Sequence, residues 1–236
     1  TKYNNQEWKI ITKNDYYLLF NTAPAHMKSA VDASFLLACP DFRVNDTDAA
    51  KWNIGGVSPT TDVKSHVRFG DEKTYKTYPG NSDWTPAYDE THQTNYGKYY
   101  YCYTKGLRGF NIYQDVKVHK AGWYLLRCNG FSTANSSENI KQNGGPLANL
   151  FITAVDANSN SINDKYSTAA LNGISQTDAE ALAQTHNGKN YAGAGIGRAF
   201  FEGKYENQVQ ICLDKAPNGN EISNDNPVTL RIGFYV

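Results

Sequence analysis

The sequence predicts an all-β fold, a β-sandwich of the jelly-roll kind with one short inserted helix. Residues 106–133 contain two strand-like runs, and the second is apolar on both faces, which is typical of a strand covered on both sides. Residues 205–213 and 228–236 alternate apolar and polar side chains cleanly. Only residues 175–186 have a convincing helical pattern, among about eight to ten short strands.

Residues 1–32 are predicted to form an N-terminal extension packed on the sandwich, and residues 33–236 to form the domain itself. Two apolar runs in the extension, 8–11 and 16–20, are interpreted as strands joined by a turn at 13–15. Pro24 interrupts any continuation, because proline cannot donate a hydrogen bond to a strand ladder.

The domain begins with the apolar run 35–42, which Pro40 closes. Trp52 is predicted to begin a strand and to anchor the core. Residues 55–66 are predicted to be a loop, and Val67–Phe69 a short strand that ends at Gly70.

Residues 106–133 are predicted to form a central hairpin. One face of its first strand carries Phe110, Ile112, Gln114, Val116 and Val118, and the other carries Asn111, Tyr113, Asp115 and Lys117. Residues 119–122 turn the chain, and Tyr124, Leu126 and Cys128 line one face of the return strand. Trp123 is assigned mainly to the core.

In the second half of the chain, the sequence predicts one strand at 147–156 between two polar loops, 134–145 and 157–174. A helix over 175–186 follows, with Ser175 and Asp178 as its capping box and Asn187-Gly188 as its end. The glycine-rich residues 191–197 lack the strand context of a phosphate-binding loop and are interpreted as a flexible connection. Residues 205–213 and 228–236 are predicted to pair as the final hairpin.

The charge balance excludes some classes of protein. The 236 residues include 23 basic and 23 acidic side chains, whereas a non-specific nucleic-acid binder needs a basic excess. No apolar run approaches the roughly 20 residues of a membrane-spanning helix. The chain starts at Thr1 instead of Met, so we expect a secreted or cell-surface protein whose signal peptide has been removed.

Several small motifs favour structural interpretations. The spacing of the four cysteines, Cys39, Cys102, Cys128 and Cys212, does not resemble that of a zinc site. We expect buried free thiols. Formation of a disulfide in an oxidising compartment is the alternative. Asp46 and Asp48 lack the glycine and glutamate of a calcium loop, which favours a solvated turn. Asn45 and Asn135 match the N-glycosylation pattern, which matters only in a eukaryotic protein.

The aromatic segment 70–105 is the predicted recognition surface. Long irregular loops in compact domains tend to be functional, and so many aromatic residues argue against disorder. Exposed rings stack on the apolar C–H faces of sugars. Trp84 is the first candidate for ligand binding, because no alternating apolar neighbours assign it to the core, and Tyr78, Tyr88 and Tyr96 follow. The alternative is that these rings pack the loop onto the sheet.

Catalysis has little support in the sequence. A glycosidase needs two carboxylates about 5 to 9 Å apart, and the best candidates, Asp89 and Glu90 near His92, are much better explained as a solvated polar turn. There is no Gly-x-Ser-x-Gly nucleophile elbow, and the five histidines have no metal-ligand spacing.

Three groups of residues resemble galactose-binding-like jelly-roll domains, which are found in surface and secreted proteins of glycan-scavenging gut bacteria. The groups are Cys39-Pro40-Asp41-Phe42 with Trp52; Phe110 to Val116 with Gly122-Trp123-Tyr124 and Gly130-Phe131; and Ala199-Phe200, Gly203, Tyr205, Asn207, Val209 with Leu230 to Gly233. The resemblance covers residues 33–236, with segments 70–105 and 175–197 as insertions. These motifs are mainly structural.

The resemblance implies a non-catalytic module that binds a glycan or another surface ligand. A protein-interaction or structural domain of a surface assembly is the alternative, and a glycoside hydrolase is the least favoured hypothesis. The resemblance also implies a structural calcium ion near the chain termini, although its ligands do not follow from the sequence.

Overall fold

The computed structural model describes most of the chain after residue 108 and shorter segments before it. The described residues are 2–3, 6–7, 31–38, 40, 42, 51–56, 58, 66–69, 88–89, 94–95, 102–104, 106, 108–158, 160–182, 184–186, 189–191, 199–200 and 203–236. The predicted strands 8–11 and 16–20 lie outside this part, and so do Asp46 and Asp48. The proposed boundary between extension and domain stays a prediction.

The described residues are mostly β-strand, as predicted. The strands are β1 (Lys2–Tyr3), β2 (Gln6–Glu7), β3 (Asn53–Gly55), β4 (Val67–Phe69), β5 (Tyr88–Asp89), β6 (Thr94–Asn95), β7 (Cys102–Thr104), β8 (Asn111–Val118), β9 (Gly122–Asn129), β10 (Phe131–Ser132), β11 (Asn149–Val155), β12 (Ser161–Ala170), β13 (Asn172–Gly173), β14 (Gln184–His186), β15 (Lys189–Tyr191), β16 (Glu206–Leu213) and β17 (Val228–Tyr235). Two α-helices accompany them, α1 (Ser137–Asn143) and α2 (Gln176–Ala181). The fold is therefore all-β in class.

An antiparallel five-stranded sheet, in the order β12-β11-β17-β8-β3, forms the largest unit. Strands β9 and β16 pair antiparallel over their full length and make a separate ribbon. Leu150 of β11, Val209 of β16 and Leu230 of β17 belong to one buried cluster, on which Leu126 of β9 also packs. The sheet and the ribbon therefore share a core.

A second cluster extends this core toward the short strands. Trp52, Phe110 and Ile112 are buried there, with Val67 beside them. The predicted core role of Trp52 and the predicted strand Val67–Phe69 are both confirmed. Trp123 differs, because it is half-buried and lies on the face of β9 opposite to Leu126.

The predicted face assignments are confirmed, but both predicted hairpins are wrong. Ile112, Gln114 and Val118 are buried as expected, yet β8 pairs with β17 and β3, whereas β9 pairs only with β16 among the described strands. Each connection, 119–121 and 214–227, therefore leads from one sheet to the other. Both strands of each pair direct their apolar faces into the same core, so alternation alone cannot distinguish a hairpin from such an arch.

The prediction of one helix over 175–186 needs two corrections. Ser175 does cap α2, since its Oγ accepts from the Asp178 N–H at 3.0 Å, but α2 ends at Ala181 and residues 184–186 form β14. β14 pairs with β15, and the sequence between them is Asn-Gly, the dipeptide most typical of two-residue hairpins. Helix α1 lies in the predicted polar loop 134–145, capped by Ser136 and ended by Gly144 at φ 73°.

The polar loop predicted over 157–174 is also wrong, because it contains the edge strand β12. Thr168 pairs with Phe151 and Ala169 with Leu150 along this strand. Among the β12 side chains that the structure describes, Ile162 and Ala169 pack on the shared core. The sequence of this strand lacks the apolar alternation that identifies a strand.

Asn135 is a structural residue and not a glycosylation site. Its side chain is 2% exposed, and its Nδ2 donates to the Ala148 carbonyl at 2.6 Å and to the Leu171 carbonyl at 2.8 Å. Its Oδ1 accepts from the N–H groups of Leu147 and Ala148. The folded chain therefore offers no free amide at this sequence motif.

Three cysteines lie in the described residues, and all three are free thiols. Cys102 packs on the Trp52 cluster and Cys128 on the shared core, as small apolar residues would. Burial raises the pKa of both thiols to about 12. Cys39 lies outside the described residues, so its state stays a prediction.

We expect Cys102 and Cys128 to resist alkylation in the native protein. At pH 8 a thiol of pKa about 12 holds roughly a thousandfold less thiolate than an ordinary cysteine, and the thiolate is the reactive form. Labelling with iodoacetamide, with and without guanidinium, followed by peptide mass spectrometry measures this protection. Labelling of Cys128 in the native protein as fast as in guanidinium would contradict the assignment.

Candidate functional site

Three of the four predicted ligand-binding residues, Trp84, Tyr78 and Tyr96, lie outside the described residues. The backbone of Tyr88 lies in β5 and pairs with Asn95 of β6. The catalytic alternative is described only at the backbone of Asp89, since Glu90 and His92 lie outside. These assignments stay predictions.

A different group of side chains comes together on the five-stranded sheet. We call the side of this sheet opposite to the shared core the outer face. Pairing register and the alternation of side chains place on it Asn111, Tyr113, Asp115, Lys117, Phe151, Thr153, Tyr166, Thr229, Arg231, Gly233 and Tyr235. The outer face therefore combines aromatic rings with charged groups.

An ion pair stacked on a ring forms the centre of the outer face. Arg231 Nε donates to Asp115 Oδ1 at 2.8 Å, and Arg231 Nη2 donates to Asp115 Oδ2 at 2.9 Å. The guanidinium carbon lies 4.1 Å from the ring centroid of Tyr113. The hydrogen bonds to Asp115 raise the pKa of Arg231 above its ordinary value. Two hydrogen bonds to one carboxylate and one ring thus hold the guanidinium in one orientation.

The register explains why these three residues meet. Arg231 lies directly opposite Asp115 in the β17–β8 pair, and Gly233 lies opposite Tyr113. Because Gly233 has no side chain, nothing separates Tyr113 from the neighbouring Arg231. A Cβ at Gly233 would lie 2.0 Å from the Ile112 carbonyl oxygen, so the two strands also approach too closely there for any other residue.

The aromatic residues of the outer face differ in exposure. Phe151 is buried and stacks against Tyr166, with centroids 6.4 Å apart and an interplanar angle of 21°. Tyr166 is 47% exposed and Tyr235 is 44% exposed. Their rings are therefore open to a ligand; Tyr166 lies in the same row of residues as the ion pair, and Tyr235 lies four residues beyond Arg231 on β17.

One polar atom beside this group lacks a partner. Asn111 Oδ1 is buried and has no hydrogen bond among the described residues. A Cβ at Gly55 would lie 2.5 Å from this oxygen, so the glycine leaves the space that the Asn111 side chain occupies. Buried acceptors usually have a hydrogen-bond donor, so this oxygen is an exception among the buried polar atoms.

Such an arrangement can contact a ligand that carries both C–H faces and hydroxyl groups. Ring faces pack against apolar C–H groups, while a fixed carboxylate accepts hydrogen bonds from hydroxyls. Asp115 is held by Arg231 and serves here as an acceptor.

Sequence reasoning identified the members of this group only in part. Tyr113, Asp115 and Lys117 were placed on one face of their strand, but no function was assigned to that face. Arg231 and Tyr235 alternate with Leu230 and Ile232 in β17, so a polar outward pattern was visible there too. What the sequence lacked was the β8–β17 register that joins the two patterns.

The described residues hold no cluster of metal ligands for the predicted calcium ion. Among the described residues, no three His, Cys, Asp or Glu side chains cluster as metal ligands would. The calcium ion therefore stays a prediction and enters no step below. In the same part of the chain, neither helix is long and apolar enough to cross a membrane.

Comparisons with protein-family models, with curated proteins and with solved structures find no match for this chain.

Proposed function

We propose that this chain is a non-catalytic glycan-binding module of a secreted or cell-surface bacterial protein, with a galactose-binding-like jelly-roll sandwich as its fold. The observation that carries the proposal is the outer face, where Tyr113, Arg231 and Asp115 form a fixed polar centre on the same face as the exposed rings of Tyr166 and Tyr235. Flat rings beside oriented hydrogen-bonding groups are what a sugar surface requires.

Two features of the fold support the proposal. The shared core between sheet and ribbon is what a sandwich requires, and the outer face lies on regular strands, which position side chains more rigidly than loops do. The aromatic segment 70–105, with Trp84, Tyr78, Tyr88 and Tyr96, remains a second predicted surface for the same kind of ligand.

A glycan array with purified protein tests the proposal. Each substitution Tyr166→Ala and Tyr235→Ala should weaken binding about fivefold to tenfold, since a stacked ring contributes about 1 kcal/mol. Phe35→Ala is the matched control, because Phe35 is an exposed ring outside this sheet. Parallel measurement of Trp84→Ala shows whether the aromatic segment takes part. A protein that binds no glycan would overturn the proposal.

A protein-interaction domain is the second candidate, and one observation favours it. The 3-10 turn Ser34–Leu36 presents Phe35, which is 81% exposed, together with exposed Val31 and Leu36. The next residues fix this turn, because Leu37 packs on the shared core and the Ala38 N–H donates to Gln114 Oε1 at 3.0 Å.

A rigid apolar projection of this kind fits contact with another protein. If Phe35→Ala abolishes capture of a defined protein partner while the array shows no sugar, this second function replaces the first.

A further inference from the structure

Several asparagine residues of this chain are followed directly by glycine, a pair that is chemically labile in proteins. They are Asn129, Asn143, Asn172, Asn187 and Asn218. Glycine has no side chain to shield its backbone nitrogen, so that nitrogen can attack the amide carbon of the preceding side chain. The attack requires a peptide nitrogen that is released from hydrogen bonding and a side chain that is free to turn toward it. Asn187 and its glycine lie outside the described residues, and the other pairs differ in these two respects.

Two of the pairs hold the glycine nitrogen in a hydrogen bond. The Gly130 N–H donates to the Tyr205 carbonyl at 2.9 Å, next to the paired strands β9 and β16. The Gly219 N–H donates to the Ala216 carbonyl at 2.8 Å within the connection 214–227. In both pairs this hydrogen bond must break before the nitrogen can attack.

A third pair is held through its side chain and by close packing. Asn172 Nδ2 donates to the Glu206 carbonyl and to Asn207 Oδ1, both at 2.9 Å. A Cβ at Gly173 would clash with the Asn135 carbonyl oxygen, so the backbone of Asn135 packs directly against this glycine. The side chain of Asn172 therefore cannot turn toward the glycine nitrogen without local unfolding.

The pair Asn143-Gly144 is restrained least. Asn143 is the last residue of α1, a helix of seven residues, and both members of the pair are exposed. Its side chain has one hydrogen bond among the described contacts, from Nδ2 to the Asn139 carbonyl at 2.8 Å. No atom of another part of the chain lies within 4 Å of a Cβ built at Gly144 or Gly145. Because the ends of short helices fray, this pair reaches the reactive geometry most easily.

We propose that Asn143 is a site of spontaneous hydrolytic modification, because the fold leaves it less restrained than the other described Asn-Gly pairs. The Gly144 nitrogen attacks Asn143 Cγ and loses its proton to solvent, while Nδ2 takes up a proton and leaves as ammonia. The product is a five-membered cyclic imide. Water then adds to one of the two imide carbonyls, and the bond between that carbon and the ring nitrogen breaks. The result is an aspartyl or an isoaspartyl residue at position 143, with one water consumed and one ammonia released.

The modification weakens the end of α1. It removes the Nδ2 donor to the Asn139 carbonyl and adds a negative charge at the helix C-terminus, where the helix dipole disfavours one. The isoaspartyl product also inserts one extra backbone atom before Gly144. Asn135 and the backbone groups that it holds are not part of this change. We therefore expect the modified protein to keep the shared core and to lose order in α1.

Incubation of the native protein at mildly alkaline pH, followed by tryptic peptide mass spectrometry, tests the proposal. Cleavage after Lys and Arg places Asn129, Asn143 and Asn218 in separate peptides, 128–141, 142–165 and 216–231. Asn143 should be modified at least about fivefold faster than the other two, since breaking one hydrogen bond lowers the population of an open conformation about fivefold. An unincubated sample corrects for modification during digestion.

Two controls show that the fold and this residue are responsible. In guanidinium the hydrogen bonds of every pair are lost, so the rates at the three positions should become similar. Asn143→Gln keeps a side-chain amide but moves it one methylene away from the Gly144 nitrogen. This variant should lose the fast mass increase in peptide 142–165.

Each contrary result is informative. Modification of Asn129 or Asn218 in the native protein as fast as Asn143 overturns the proposal. A fast mass increase that persists in Asn143→Gln overturns it too, because another residue of the peptide is then modified. If Asn143 keeps its full lead in guanidinium, the local sequence and not the fold sets the order, and the proposal is wrong. None of these results affects glycan binding, which the array measures separately.

Discussion

Replacing Asn135 by alanine is expected to lower the free energy of unfolding by about 4 kcal/mol, the largest effect we expect from one side chain. The substitution removes four hydrogen bonds to backbone groups of Leu147, Ala148 and Leu171. These groups are held at the start of β11 and the end of β12, where the Ala148 carbonyl has one further partner, the Leu171 N–H at 3.0 Å. A buried polar group that loses its partner costs about 1–3 kcal/mol.

Chemical denaturation followed by circular dichroism measures this effect. Asn143→Ala is the matched control, because Asn143 is an exposed residue with a single hydrogen bond, to the Asn139 carbonyl. We expect the control to change stability by less than about 1 kcal/mol. Equal stability of Asn135→Ala and Asn143→Ala would show that water replaces the lost hydrogen bonds.

The second large effect is expected for Gly233→Ala, at about 3 kcal/mol of lost stability. Its Cβ would lie 2.0 Å from the Ile112 carbonyl oxygen and 2.8 Å from the Tyr113 Cα. Both atoms belong to the backbone of β8, so the clash is relieved only if β8 and β17 separate. The same movement would displace Tyr113 from Arg231, and glycan affinity should fall with stability.

Gly145→Ala is the control for this substitution. No atom lies within 4 Å of the Cβ position at Gly145, and its backbone is not in the left-handed region. This variant should be as stable as the wild-type protein or slightly more stable, since alanine restricts the unfolded chain. If Gly233→Ala and Gly145→Ala unfold at the same denaturant concentration, the close approach of β8 and β17 is not required.

The buried polar residue Asn207 shows what the local sequence pattern can predict and what it cannot. Asn207 alternates in step with Tyr205 and Val209 in the sequence, and all three are buried. Its Oδ1 accepts from the Asn172 N–H at 2.7 Å, and its Nδ2 donates to the Gly130 carbonyl at 2.8 Å. The spacing of residues in the sequence indicates which face of the strand Asn207 lies on. Its hydrogen-bond partners, Asn172 and Gly130, come from distant parts of the chain and cannot be read from that spacing.

The sequence by itself determined the all-β class, the buried faces of β8, β9, β16 and β17 and the cap of α2, because these depend on neighbours within a few residues. Only the tertiary structure decided which strands pair. β8 and β9 are adjacent in sequence, yet β8 pairs with β17 and places Asp115 opposite Arg231. The outer face exists because of that register, and a register between strands more than a hundred residues apart leaves no signal in local alternation.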